Sequence, residues 1–157
     1  MFTSNADKFN AAILKATAGW NDKIADRIVA IARFSHKSLI DKTPVYEGKA
    51  VRNYIMTIGE PYTEVYEPIE DGPTGHTSTM SLGSEPRRSS NEEAALESGS
   101  VLSRETAFSK IFITNNAEDI GGLERGELPG TTPSRSPNGM FAITLEEVLQ
   151  RLNANTL

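Results

Sequence analysis

Apolar positions recur with helical spacing along the first quarter of the chain. Phe9, Ile13, Trp20, Ile24, Ile28 and Ile31 step by three, four or seven residues, so they draw one stripe on a helix spanning residues 5–40. Lys8, Lys15, Asp22, Lys23, Asp26 and Arg27 fall mostly off that stripe. Ser4 and Asp7 have the spacing of a capping box, with Asp in the place of Glu. Thr43-Pro44 predicts the end, because a residue before proline disfavours helical angles. Such a helix is about 50 Å long at 1.5 Å per residue. That exceeds what a small domain can cover, and a neighbouring subunit is the simplest surface for the excess. Gly19 is a weak point that costs about 1 kcal/mol relative to alanine.

The period then shortens. Residues 51–58 alternate, with Val51, Ile55 and Thr57 on one side and Tyr54, Met56 and Ile58 on the other, which predicts a strand closed by Gly59-Glu60-Pro61. Residues 91–98 predict a short helix with Ala94, Ala95 and Leu96 inward, Glu92 and Glu93 in its first turn and Gly99 as its cap. In Ile111-Phe112-Ile113-Thr114 the side chains are apolar on both faces, the pattern of a central strand, and Asn115-Asn116 ends it. One helical turn is expected near residues 120–125. Phe141, Leu145, Val148, Leu149 and Leu152 share a helical face, so a closing helix is expected over residues 137–153, with Ser136 as N-cap and Pro137 at its first position. A strand over residues 140–145 competes, because that stretch also alternates. The expected fold is α+β: a long N-terminal helix and further helices on a small, mostly antiparallel sheet, with long extended loops.

The 157 residues suit one domain, 1–157, with a single core. Hydrophobic content is 38% and mean hydropathy −0.37, so much of the chain must be loop or surface. Residues 60–90 are the main excursion: acidic from Glu60 to Asp71, then rich in Pro, Gly, Ser and Thr. This composition buries too little to order itself, and an arm that orders on a partner is expected, anchored by Tyr62, Val65, Tyr66 and Ile69. The net charge of −5 argues against a protein that coats nucleic acid. With no cysteine there is neither disulfide nor thiolate metal site. No apolar run approaches a bilayer span, and the first residues lack a signal-peptide pattern, so synthesis in a cytoplasm is expected.

Candidate chemistry is sparse. His36 is expected at a helix end or on the surface and His76 in solvent, with no spacing that ties either to a nucleophile. The carboxylates of residues 60–71 lack a calcium-loop pattern. Gly121-Gly122 is not followed by the Lys and Ser/Thr of a phosphate loop. No catalytic, cofactor-binding or metal-binding residue is expected. The expected contact residues are Trp20, Ile24, Arg27 and Ile31 on the long helix, Tyr62, Tyr66 and Ile69 on the arm, the basic pair Arg87 and Arg88, and Glu127, Leu128 and Arg135 in the Pro-rich loop.

Several short pieces occur in a telling order. They are Thr43-Pro44-Val45 with Gly48 and Arg52, Ile58-Gly59 with Pro61, residues 111–117, Leu123-Glu124 with Gly126, and Pro137 with Gly139-Met140. This order resembles the tail-completion, or neck, proteins of tailed bacteriophages. The chain departs from it at Tyr46-Glu47, where the family has Asp-Thr, at Arg125, where it has an aromatic, and in the greater length of residues 60–110. The resemblance implies a non-enzymatic virion protein, made in the bacterial host cytoplasm. Six or twelve copies would form a ring joining the head-side connector to the tail. Its partners would be itself and adaptor, stopper, tail-terminator or tail-tube proteins. DNA would pass nearby without specific binding, an acidic wall offering few phosphate contacts. The alternatives are a tail-terminator or minor tail protein and, from another class, a small cytoplasmic hydrolase.

Overall fold

Helix α1 (Asn5–Lys42) sets the long dimension of the molecule: 38 residues, about 57 Å. The computed structural model describes residues 5–43, 48–69, 90–127 and 139–156. After α1 come α2 (Lys49–Arg52), β1 (Ile55–Ile58), α3 (Ser90–Ser98) with a 3₁₀ turn (Gly99–Val101), β2 (Ile111–Thr114), α4 (Ile120–Arg125) and α5 (Phe141–Asn153). The architecture is the α+β one expected. The end of α1 at Lys42 also agrees, and Thr43 closes it by donating its hydroxyl to the Leu39 carbonyl at 2.7 Å. Ser4 and the proline turn at 44–47 lie outside the described residues.

The strand expected over residues 51–58 is only half a strand. Its first part is the helical turn α2, entered through Gly48 in the left-handed region (φ 86°). Burial is the reason. Val51 and Tyr54 are both fully buried in one cluster, together with Leu39, Ile40, Ala50, Ala95, Ala117, Leu123 and Met140. Three residues apart on a helical turn they share a face; on a strand they would point to opposite sides.

The two strands pair antiparallel, Ile55 with Thr114 through Ile58 with Ile111. The Gly59 amide donates to the Lys110 carbonyl at 2.8 Å, so Lys110, Phe112 and Thr114 turn their backbone groups towards β1, and Ile111 and Ile113 turn theirs away. β2 was expected to be central. Among the described residues it has one strand neighbour, and its apolar character serves the two core clusters: Ile113 packs on both, Ile111 on the second. On the opposite edge the Met56 amide donates to Ser98 Oγ at 3.1 Å, which blocks further pairing there.

His36 also departs from expectation, being 2% exposed. It is enclosed because its turn of α1 lies under β1 and the 3₁₀ turn. One ring nitrogen, Nε2, bonds the Tyr54 carbonyl at 3.0 Å, and a Cβ at Gly99 would lie 3.2 Å from the other. Burial lowers its pKa, against a smaller upward effect of the Tyr54 bond. Gly99, expected to cap α3, instead opens the 3₁₀ turn.

Candidate functional site

The arm is held by asparagine side chains. Asn53 accepts from the Tyr66 amide at 2.7 Å and donates to the Tyr66 carbonyl at 2.8 Å. Asn91 makes the same two-way contact with Ile69, at 2.7 and 3.1 Å. Asn116 donates to the Tyr62 carbonyl at 2.8 Å. Each amide mimics a neighbouring strand and satisfies backbone groups that a loop would leave open. Gly48 permits one of these clamps, since a Cβ there would lie 2.3 Å from Asn91 Nδ2. Residues 61–69 are therefore seated on the chain's own body, where ordering on a partner was expected. Their backbone is tied down while Val65, Tyr66 and Ile69 stay exposed. Tyr62 and Tyr66 stack at 5.3 Å between ring centroids, and the Arg52 guanidinium lies 5.3 Å from the Tyr66 ring. Residues 70–89, with Arg87 and Arg88, lie outside the described residues, as do Leu128 and Arg135.

The start of α5 depends on Glu124. Its carboxylate accepts from the amides of Met140 at 2.6 Å, Phe141 at 3.0 Å and Ala142 at 3.3 Å. A carboxylate suits the positive end of a helix and three otherwise open donors. The expected cap, Ser136, lies outside the described residues, which place the helix start at Phe141. Gly139 makes room for the carboxylate: its φ is 88°, and a Cβ there would meet Glu124 Oε1 at 2.5 Å. Gly126 ends α4 at a φ of 67°.

Helix α5 lies antiparallel on α1. Thr144 meets Ser38, Arg151 covers Phe34, and Asn155 beyond the helix end meets Arg27. A groove of about 370 Å³ between them is lined in part by Lys37, Ser38, Lys42, Glu147 and Arg151. Here Lys42 Nζ donates to Ser38 Oγ at 2.6 Å and to Glu147 Oε2 at 2.7 Å. A lysine beside a serine invites comparison with a nucleophile and its base. In this geometry Lys42 acts as a donor to the serine oxygen, and Ser38 is almost fully buried. The cluster locks one helix to the other. Burial raises the Glu147 pKa, but the bonds from Lys42 and Ser38 outweigh it and hold the carboxyl below its ordinary value. No group of three or more metal-binding side chains gathers among the described residues, and no helix there is long and apolar enough to cross a membrane.

The expected contact residues divide. Trp20 and Ile24 stand exposed on α1, Trp20 by 68%. Arg27 is engaged inside the chain, donating to Asn155 Oδ1 at 2.8 Å and to the Leu152 carbonyl at 3.2 Å. Ile31 is half-buried. Glu127 pairs with Arg125 at 2.7 Å on the surface. Every residue from 6 to 24 is exposed, including Phe9 at 65%, Ile13 and Leu14. A second exposed apolar stripe, Phe141, Leu145 and Leu149, runs along α5. Its period-four spacing is legible in the sequence as part of the face that predicts the closing helix. The chain has no match among protein-family models, curated proteins or solved structures.

Proposed function

We propose that this chain is a structural subunit of the neck or tail of a tailed bacteriophage, working as a homo-oligomeric ring. One observation carries the proposal: every residue of α1 from 6 to 24 is exposed, and together they display an apolar stripe from Phe9 to Ile24. A helix of this length has little propensity reason to end in exposed tryptophan and phenylalanine, and an assembled state would give that surface a purpose. The motif residues that carry the phage resemblance support the same reading. Gly48, Asn116, Glu124 and Gly139 hold loops and a helix start in place, and Thr43, Ala117, Leu123 and Met140 are buried around them. Such a frame presents surfaces to partners, here adaptor, stopper, tail-terminator or tail-tube proteins, while DNA passes without sequence-specific contacts.

Electron microscopy of purified protein, and of particles carrying a labelled copy, tests the proposal. Rings of the free protein and label at the head–tail junction are the expected results. Label confined to the host cytoplasm, with monomers in solution, would overturn it.

A further inference from the structure

The exposed stripe of α1 is continuous with a face already in use. Continuing Phe9, Ile13, Trp20 and Ile24 by steps of three or four leads to Arg27, Ile31, Phe34, Ser38 and Lys42. Of these, Arg27, Phe34, Ser38 and Lys42 are positions on which α5 and the residues just after it are laid. α5 ends at Asn153, just before Asn155 reaches Arg27, and from Ile24 backwards Ile24, Trp20, Ile13 and Phe9 are exposed. The seat therefore runs out of helix before it runs out of apolar surface.

The chain also carries a helix face of matching kind. Phe141, Leu145 and Leu149 form a stripe beside the residues α5 buries, Thr144 and Val148, and Leu145 is 61% exposed. The exposed stripe of α1 spans about 22 Å and that of α5 about 12 Å, its first member Phe141 also meeting the Tyr54 ring at 6.0 Å between centroids and its end continued by the half-buried Leu152. Lys23 borders the first stripe and Glu146 the second, so their flanks are oppositely charged. We infer that the N-terminal half of α1 docks on the outer face of α5 of a second copy. This inference rests on the ring reading and specifies its junction. Two different patches meet, so the contact is heterologous: each copy gives one patch and receives one, and the chain of contacts closes when the rotation allows.

Complementary variants test it, with mass read by light scattering. Trp20→Glu spoils the donor patch and Leu145→Glu the receiving patch. Both side chains are exposed, so far-UV circular dichroism should match wild type. Each variant alone is expected to be monomeric. Mixed, they retain one good junction, between the α1 of L145E and the α5 of W20E, and should stop at a one-to-one dimer. L145E that still forms rings of wild-type size would overturn the inference while leaving the ring reading intact, because the ring would then use another junction. A mixture that stays monomeric would overturn it too. Wild-type protein that is monomeric at every concentration would overturn inference and ring reading together.

Discussion

At the residue scale the chain is stabilised by side chains that act as pieces of backbone. Glu124 is the plainest case: one carboxylate serves three amides at the start of α5. Glu124→Ala should therefore cost roughly 1–3 kcal/mol in urea unfolding, the range for losing a helix cap with charge-assisted bonds. Gly139→Ala should cost at least about 1 kcal/mol, because the new Cβ would meet both the Glu124 carboxylate and its carbonyl from a left-handed backbone. His36 gives a pH dependence whose sign is fixed. Its folded pKa lies below the ordinary histidine value of 6.5, so between those two values the unfolded chain binds more protons and stability rises with pH. The melting temperature should be flat with respect to His36 above pH 6.5 and fall as the pH drops from there towards the lowered value. His36→Gln should flatten that part of the profile, leaving the separate acid loss from Glu147, which begins below its ordinary 4.5. None of these partnerships could be read from local pattern. Glu124 acts 16 residues away and Asn91 acts 22 residues back. The sequence around Glu124 reads as a strand exit with one helical turn, and that around Asn91 as the start of a short helix.

At the scale of elements, legibility followed length. α1 has many turns over which to repeat its period, and its end at Thr43 matches a local rule. The 51–58 stretch is short and admits two periods, and burial of Val51 with Tyr54 decided for a helical turn before the strand. β2 was recognised as a strand, but its place in the sheet depends on partners that its own residues do not encode. The arm shows how composition can mislead. Residues 61–69 are polar and acidic enough to read as unanchored, yet Asn53, Asn91 and Asn116 supply the missing ladder. Asn91→Ala should release it. Amide hydrogen exchange at Tyr66 and Ile69 should rise about fivefold, as expected for losing roughly 1 kcal/mol of local hydrogen bonding. Unchanged exchange would mean that the arm is held by its side chains instead.

On the scale of the whole molecule, the core and the exposed apolar stripe occupy different halves of one helix. Among the described residues, the buried positions of α1 begin at Ala25 and continue through Ala32, His36, Leu39 and Ile40, while residues 6–24 are all exposed. Free energy of folding scales with apolar surface removed from water, so deletion of residues 1–21 should remove almost none of it. The shortened chain should melt within a few degrees of the full one and lose helical signal only in proportion to the residues removed. It should also fail to assemble, because it lacks Phe9, Ile13 and Trp20. That separation is what distinguishes an assembly subunit from a domain whose long helix is simply frayed. If α1 served only its own fold, truncation would change stability and association together or change neither. A chain that keeps its melting temperature and loses its oligomeric mass shows that the exposed half exists for another molecule. A chain that loses its melting temperature shows that the first half of α1 contributes to the fold, and the division of labour along the helix is then wrong.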